Sequence, residues 1–238
     1  MKLPVAILAG GLATRLHPIT ETIPKALVEV AGQPFILRQL DYLKRQGVSR
    51  VVLCVGYLGE QIEALVGDGR ATGLSVSYSQ DWPKLMGTGG ALRQALPLLD
   101  SQFLVLYGDS YLPVDFVRVE HAFLSSGKPA LMTVQRNADQ WDKSNVLFLN
   151  DVLVEYNKRA PTAEMRHIDY GLGALSAQSL ADEPSGEPFD LADIYHRLSL
   201  SGDLAGYEVH ERFYEIGSHQ GLAEAAEYFR AGENNGLC

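Results

Sequence analysis

The sequence predicts an α/β fold in which a mixed, mostly parallel central sheet lies between two layers of helices. In the first half, short apolar segments that suit strands alternate with amphipathic segments that suit helices. The strands are predicted near residues 4–9, 50–55, 74–79 and 102–108, and the helices near 34–46, 59–66, 89–99 and 114–126. Alternation of this kind implies βαβ crossovers, which place neighbouring strands in parallel.

The second half has a different pattern, in which short strands are joined by turns. Strands are predicted at 130–135, 145–149, 152–156 and 168–175. Asn150 and Asp151 suit a hairpin turn between two of these strands. Because no Pro/Gly/Ser-rich linker divides the chain, we expect one domain over 1–238. Its strand-rich part, about 113–238, would lie over the first part, about 1–112.

The first strand ends in a loop that can approach a ligand closely. Residues 5–9 are all apolar, which fits a central strand covered on both faces. Gly10 and Gly11 follow directly, and glycine lets the backbone turn sharply with no Cβ in the way. Thr14 adds a hydroxyl, while Arg15 and Lys25 add positive charge. Such a loop suits an anion, and the two cations suit a nucleoside triphosphate (NTP).

Two familiar phosphate-binding motifs do not fit this loop. A Walker motif needs Gly-Lys followed by Ser or Thr, but the only Gly-Lys pair, at 127–128, precedes Pro129. The dinucleotide motif Gly-x-Gly-x-x-Gly fails because Gly10, Gly11 and Ala13 have the wrong spacing. A purely structural role for the glycines, in a tight turn after a strand, stays open.

The loop resembles the signature of the sugar-1-phosphate nucleotidyltransferases, whose pattern is Gly-Gly-x-Gly-Thr-Arg-Leu with Pro-Lys downstream. Ala13 stands where that family has its third glycine, so the backbone there should either keep a negative φ or accept a modest strain. Further segments resemble the family in the same order along the chain. They are residues 87–92, 103–109 and 213–218.

The resemblance implies a Rossmann-like three-layer α/β/α fold of the nucleotide-diphospho-sugar transferase type, and a reaction. The phosphate of a sugar 1-phosphate would attack the α-phosphorus of an NTP and release pyrophosphate. By resemblance, Arg15 would bind the β- and γ-phosphates and Lys25 would bridge the α-phosphate and the sugar phosphate. Asp109 and Glu215 would hold Mg²⁺, with Glu215 in place of the family's usual Asp.

The resemblance also implies two sets of binding residues. The nucleotide set is Leu8, Ala9, Gly10, Gly11, Thr14, Arg15, Gly87, Thr88 and Gly89. The sugar-phosphate set is Lys25, Asn145, Asn157, Lys158 and Gly171. Structural roles stay open for several of these residues: Asp109 suits a helix N-cap or a turn, Glu215 suits a surface strand, and the second set suits hairpins and turns.

Within the family, the loop at 86–90 is most similar to guanylyltransferases that act on heptose or mannose 1-phosphate. Thymidylyl- and uridylyltransferases of glucose 1-phosphate share these loops, as do cytidylyltransferases of phosphocholine, so those specificities stay open. An inactive nucleotide-sugar-binding regulatory subunit is the alternative from another class. The presence of Lys25 and Asp109 favours an enzyme.

Composition limits the partners of the chain. Twenty Lys and Arg against twenty-nine Asp and Glu give a net charge of −9, and no basic stripe favours nucleic acid. No apolar stretch is long enough for a membrane span. Cys54 and Cys238 show neither a pairing pattern nor metal-ligand spacing, so we expect a reduced, cytoplasmic protein. The sequence is compatible with a homo-oligomer but does not define the oligomeric state.

Overall fold

The computed structural model describes residues 1–81, 83–137, 140, 143–184 and 186–234, with side chains described as far as 232. Cys238 lies outside these residues. Within them, no helix is long and apolar enough to cross a membrane.

The strands and helices have the following bounds. The strands are β1 (Val5–Ala9), β2 (Glu29–Val30), β3 (Gln33–Pro34), β4 (Arg50–Val55), β5 (Ser75–Gln80), β6 (Gln102–Tyr107), β7 (Ser110–Tyr111), β8 (Ala130–Arg136), β9 (Val146–Leu149), β10 (Val152–Tyr156), β11 (His167–Ser176), β12 (Leu204–Val209) and β13 (Tyr214–Glu215). The α-helices are α1 (Phe35–Arg45), α2 (Gly59–Val66), α3 (Gly87–Ala95), α4 (Phe116–Ser126), α5 (Gln178–Ala181), α6 (Leu191–Leu200) and α7 (His219–Asn234).

Nine strands of the described chain form one mixed sheet, in the order β10-β9-β11-β6-β1-β4-β5, with β8 paired to β11 and β12 paired to β8. β1 is parallel to β4 and β6, β4 is parallel to β5, and β8 is parallel to β12. β11 runs antiparallel to β6, β8 and β9. Strands from both predicted parts of the chain therefore share one sheet, and the predicted mixed α/β fold is confirmed.

Helices cover both faces of this sheet. On one face, α1, α2 and α4 bury apolar side chains such as Leu40, Ile62 and Phe123. On the other face, α3 and α6 bury side chains such as Leu92 and Ile194. The strands between them are apolar on both faces because each face is covered, as the run of five apolar residues in β1 predicts.

Local sequence signals explain several boundaries. Gly47, at φ +80°, follows α1 and donates its N–H to the carbonyl of Lys44, as a glycine just after a helix C-terminus commonly does. Asn150 and Asp151 both have positive φ between β9 and β10, as a tight hairpin turn requires. The helix predicted at 89–99 instead starts at Gly87 and ends at Ala95. A short 3₁₀ turn with Pro97 follows, because proline lacks the N–H that would continue the helix.

The elements after residue 176 were not predicted from the sequence. Among them, α7 packs against β2 and β13 through a third apolar cluster that includes Ala225 and Phe229. Tyr228 on α7 stacks on Tyr214 of β13, with 4.1 Å between the ring centroids. This helix therefore fixes the position of a short strand that reaches the candidate site.

Candidate active site

The candidate site lies where β1 and β6 end side by side. Ligands of open α/β sheets bind at the carboxyl ends of strands, at the point where the chain order changes direction. The N–H of Gly108, just after β6, donates to the carbonyl of Leu8 over 2.9 Å. A Cβ at Gly108 would lie 2.7 Å from that carbonyl oxygen, so only glycine permits this approach of the two strand ends.

A cavity of about 250 Å³ opens at this point. Its walls come from the ends of β1, β4, β5 and β6 and from the start of α3. The lining residues are Leu8, Ala9, Gly10, Gly11, Lys25, Ala26, Cys54, Asp81, Leu85, Gly87, Thr88, Ala91, Tyr107, Gly108 and Asp109. We call this space the smaller cavity.

Two glycines of the first loop have different surroundings. Gly10 is packed against the end of β4, since a Cβ on Gly56 would lie only 2.6 Å from the Gly10 carbonyl oxygen. Gly11 has no atom within 4 Å of the position of a Cβ, apart from its chain neighbours. The backbone at Gly11 is therefore open to a ligand, while Gly10 is needed for packing.

Ala13 adopts the left-handed conformation, with φ +52° and ψ +38°. Of the two outcomes expected for an alanine here, the structure has the strained one, because a Cβ disfavours this region of backbone space. The carbonyl of Ala13 accepts hydrogen bonds from Thr20 Oγ1, at 2.8 Å, and from the N–H of Leu16. These bonds hold the loop in the shape that the missing glycine would favour.

A second cavity of about 680 Å³ adjoins the first and is lined largely by polar side chains. The lining residues are Arg15, Tyr107, Asp109, Ser110, Gln140, Asn145, Tyr156, Lys158, Ile168, Asp169, Tyr170, Gly171, Arg212, Phe213, Tyr214, Glu215, Ser218, Gln220, Gly221 and Glu224. We call this space the larger cavity.

The two cavities meet at Tyr107 and Asp109, which line both. Lys25 Nζ lies 2.8 Å from Asp109 Oδ2, and both side chains are mostly withdrawn from solvent. Arg15 approaches from the larger cavity: a Cβ on Gly217 would lie 3.0 Å from Arg15 Nη2 and 3.6 Å from Asp109 Oδ2. Two cations and a carboxylate are thus gathered where the cavities join.

Glu215 reaches the larger cavity through a small two-stranded sheet. β13 pairs with β7 so that Glu215 lies opposite Ser110, and the N–H of Ile216 donates to the carbonyl of Asp109 over 2.9 Å. Asp109 Oδ2 accepts from Lys25, and Oδ1 accepts from Ser110 Oγ over a long 3.4 Å. Two carboxylates at one cavity are hard oxygen donors of the kind that Mg²⁺ prefers, so this donor set fits the ion. No group of three or more potential metal ligands occurs among the described residues.

Most of the predicted binding residues lie at these walls, but three do not. Gly89 is buried, and its N–H donates to the carbonyl of Phe189. Asn157 uses its side chain locally, accepting from the N–H of Ala160. Thr14 is exposed in a short 3₁₀ turn and is not among the lining residues of either cavity.

An irregularity of β11 lies in the wall of the larger cavity. Asp169 and Gly171 of this strand line the cavity, together with Asn145 from the chain before β9. The pairing of β11 with β8 shifts register between Asp169 and Gly173, and Gly171 has φ +105°. Asp169 Oδ1 accepts from the Gly171 N–H at 2.9 Å, and Asn145 Oδ1 accepts from the Asp169 N–H. Burial raises the pKa of Asp169 to about 6, although Gly171 and Lys158 act in the opposite direction.

Asp81 is a wall residue that the sequence analysis missed. It directly follows β5, and one carboxylate oxygen, Oδ2, accepts from the N–H of Met86. The other, Oδ1, is buried beside Gly10 and Gly56 and has no hydrogen-bond partner among the described residues. Burial raises the pKa of Asp81. Ligands bind at the carboxyl ends of strands, so the position of Asp81 just after the strand predicted at 74–79 could have indicated this residue.

Arg212 and Glu224 also line the larger cavity and were also missed. They form an ion pair between the chain before β13 and α7. No sequence signal could have joined them, because their proximity depends on how α7 packs.

The fold and the two adjoining cavities define an α/β protein with a glycine-rich, cation-bearing loop at the switch point of its sheet, an arrangement typical of nucleotide-binding proteins. The chain belongs to the nucleotidyl transferase family, whose model, described as "Nucleotidyl transferase", matches residues 5–143. The resemblance found in the sequence is thereby confirmed.

Several curated relatives are similar to this chain. N-acetylmuramate alpha-1-phosphate uridylyltransferase of Neisseria meningitidis is 44% identical over 46% of the chain and 48% of its own length. D-glycero-alpha-D-manno-heptose 1-phosphate guanylyltransferase of Campylobacter jejuni is 35% identical over 59% of the chain and 62% of its own length. The chain thus spans between about half and two thirds of these two relatives. The heptose guanylyltransferase of Aneurinibacillus thermoaerophilus is 33% identical over 89% of the chain and 91% of its own length.

Solved structures share the fold at lower sequence identity. A Bacillus anthracis protein described as a glucose-1-phosphate thymidylyltransferase matches with a TM-score of 0.85 and 21% identity, over 95% of both chains. HddC from Yersinia pseudotuberculosis, complexed with GMP-PN, matches with a TM-score of 0.76 and 24% identity, over 95% of this chain and 99% of that one. These likenesses support the fold.

Proposed function

We propose that the protein transfers a nucleotidyl group from an NTP to a sugar 1-phosphate, giving an NDP-sugar and pyrophosphate. The observation that carries this proposal is the meeting of two cavities at Asp109, which is paired with Lys25. A reaction between two anions needs two adjacent sites and positive charge between them. The first part of the chain would bind the nucleotide, and the second part would supply most of the sugar site.

In this proposal, the cations hold the reacting groups in line and cancel their repulsion. Lys25 lines the smaller cavity beside Asp109, so its ammonium would contact the α-phosphate and the incoming sugar phosphate. Arg15, at the edge of the larger cavity, would neutralise the departing pyrophosphate. Both charges are present before the substrates arrive, so little reorganisation is needed when charge moves in the transition state.

Asp109 and Glu215 are the residues that would hold Mg²⁺. A bound magnesium ion supplies Lewis-acid stabilisation of phosphate charge. The Lys25 ammonium already occupies one oxygen of Asp109, which leaves the other for such a ligand role.

We propose GTP as the nucleotide. Relatives named as heptose 1-phosphate guanylyltransferases support this choice, as does a structural neighbour complexed with GMP-PN. Asp81 adds a physical reason, because its Oδ2, which accepts from the Met86 N–H, has a further lone pair that favours a base edge that donates hydrogen bonds. Guanine presents two adjacent donors there, its ring N–H and its 2-amino group, whereas uracil and thymine present one N–H between two acceptors.

We propose a heptose or mannose 1-phosphate as the second substrate. Asp169 and Asn145 in the wall of the larger cavity are hydrogen-bond acceptors for sugar hydroxyls. A uridylyltransferase is the second candidate, favoured by the 44% identity to the Neisseria protein named as acting on N-acetylmuramate 1-phosphate.

Pyrophosphate release in the presence of Mg²⁺ tests the proposal. The nucleotide panel is GTP, ITP, UTP, dTTP and CTP, and the acceptor panel is heptose, mannose, glucose and N-acetylmuramate 1-phosphates and phosphocholine. We expect the highest kcat/KM with GTP and a heptose or mannose 1-phosphate. ITP, which lacks the 2-amino group, should be at least about tenfold poorer than GTP.

The other outcomes separate the alternatives. Best turnover with UTP and N-acetylmuramate 1-phosphate would replace the guanylyl proposal by the uridylyl one. Binding of nucleotides without turnover of any pair would overturn the enzyme proposal and favour a regulatory subunit.

A further inference from the structure

The segment just before α6 supports a loop that forms part of the wall of the smaller cavity. The N–H of Phe189 donates to the carbonyl of Met86, and the N–H of Gly89 donates back to the carbonyl of Phe189, both over 3.0 Å. A Cβ on Gly87 would lie 2.6 Å from the Phe189 carbonyl oxygen. The loop at the start of α3 therefore lies directly against a segment that is about one hundred residues away in sequence.

Asp190 orients the side chain of Thr88, a residue of this loop that lines the smaller cavity. Thr88 Oγ1 donates to Asp190 Oδ1 over 2.7 Å and accepts from the N–H of Leu191 over 2.8 Å. The hydroxyl therefore has both a donor and an acceptor role in the protein, which fixes the rotamer of Thr88. Asp190 Oδ1 also accepts from the N–H of Ala192, so Asp190 is the N-cap of α6.

The other oxygen of the same carboxylate lies near a residue that lines the larger cavity. Asp190 Oδ2 lies 3.9 Å from the Nζ of Lys158, which lines that cavity. Burial acts to raise the pKa of Asp190, but the bonds from Ala192 and Thr88 and the charges of Lys158 and Arg159 together outweigh it and lower the pKa. Asp190 is thus an anion that contacts one wall residue of each cavity.

We infer that Asp190 is a positioning residue shared by both substrate sites. Through Thr88 it sets the loop against which the nucleotide binds, and through Lys158 it sets the position of a cation in the sugar-phosphate site. This inference rests on the proposed function for the identity of the two ligands. It does not make Asp190 catalytic, because Asp190 lines neither cavity.

The chain offers a matched control three residues away. Asp193 lies in the first turn of the same helix and is as exposed as Asp190, at 43% against 44% of the side chain. It pairs with Arg159, and neither residue lines a cavity. Loss of the Asp193 charge therefore removes an ion pair at the same place without touching either substrate site.

The experiment measures the KM of each substrate separately in four variants. Asp190→Asn keeps an oxygen that accepts from Thr88 but removes the charge, so the hydrogen bond weakens and the KM for NTP should rise about fivefold. It should raise the KM for sugar 1-phosphate about threefold, the effect of losing a partly exposed ion pair. Thr88→Val should raise only the first KM and Lys158→Met only the second. Asp193→Asn should change both by less than twofold.

A fifth variant separates positioning from helix capping. Asp190→Ser keeps an N-cap side chain but removes the charge that faces Lys158. With thermal stability close to that of the wild type, the KM for sugar 1-phosphate should stay about threefold raised. Wild-type KM values in this variant would reduce the role of Asp190 to capping and overturn the inference.

Two further results test the shared role of Asp190. In the Thr88→Val background, Asp190→Asn should raise the KM for NTP no further, because the two residues act through one bond. A change in only one KM in Asp190→Asn, or equal effects in Asp193→Asn, would overturn the shared role. Absence of wild-type turnover would instead overturn the proposed function. Equilibrium binding of GTP and of mannose 1-phosphate to the same variants would then still decide the inference.

Discussion

The walls of the two cavities are formed by different kinds of residues. The smaller one is walled mainly by small residues, and several of them, such as Gly10, Gly11 and Gly108, follow the ends of neighbouring strands. The larger one is walled mainly by polar and aromatic side chains that come from positions between Arg15 and Glu224. A backbone wall suits what all NTPs share, whereas a side-chain wall can be changed residue by residue to suit one acceptor. Substitutions should therefore have different consequences on the two sides.

The largest effect is expected where the cavities join. Lys25→Met and Asp109→Asn should each lower kcat by about 10³-fold or more. Lys25 supplies a positive charge preorganised for the phosphates of both substrates, and Asp109 holds that lysine in place and would hold Mg²⁺. Pyrophosphate release under saturating substrates measures this loss. Lys44→Met is the control and should keep wild-type turnover, because the ammonium of Lys44 donates to the Gly73 carbonyl and Lys44 is not among the lining residues of either cavity.

Retained turnover in either junction variant would show that the two cavities do not act as one site. The two cavities would then be independent pockets, and the proposed mechanism would be wrong.

A smaller effect is expected from one methyl group on the backbone wall. In Gly11→Ala the new Cβ meets no protein atom, so the free energy of unfolding should stay within about 0.5 kcal/mol of the wild type. The same methyl group should obstruct the triphosphate and lower kcat/KM for NTP by about 100-fold. Steady-state kinetics and urea denaturation measure the two quantities.

Gly56→Ala provides the contrast for this result. Its Cβ would lie 2.6 Å from the carbonyl oxygen of Gly10, so both stability and nucleotide binding should fall. Unchanged kinetics in Gly11→Ala would show that the nucleotide does not approach this backbone.

The smallest effect concerns the pH dependence of stability on the side-chain wall. The pKa of Asp169 in the folded protein is about 6, above its usual value of about 3.9 when unfolded. Between these values the folded state binds more protons than the unfolded state, so this residue lowers stability as pH rises from 4 to 6. Asp169→Asn should therefore gain about 2 kcal/mol of stability relative to the wild type between pH 4 and pH 7.

Urea denaturation of both proteins at pH 4 and pH 7 measures this difference. A stability difference that is the same at both pH values would mean that Asp169 ionises normally, as a fully hydrated carboxylate would.

The contrast between the cavities also explains what the sequence could predict. The first four major strands were located to within two residues, because covered strands need continuous apolar runs. Gly10 and Gly11 could be selected because a loop that offers its backbone needs glycine, and Lys25 was selected for its charge and by the resemblance to the family. All three lie at the wall of the smaller cavity.

The larger cavity was harder to predict for a physical reason. Asn157 was selected beside Lys158, yet its side chain closes a local turn. Asp169 and Arg212 were not selected, although both line the cavity. Side chains from strands far apart in sequence carry no shared pattern, since their proximity results from the register of β11 and the packing of α7.

The placement of α6 and α7 has a consequence for how the protein is made. Synthesis completes the lining of the smaller cavity at Asp109, but the segment that seats its loop, around Phe189, is added eighty residues later. The lining of the larger cavity is completed later still, when Gln220 and Glu224 of α7 have been synthesised. A ribosome-bound chain thus holds the recognisable signature of the family long before it has a usable site. Nucleotide binding should therefore appear only when the segment around Phe189 has folded, and acceptor binding only when α7 has docked.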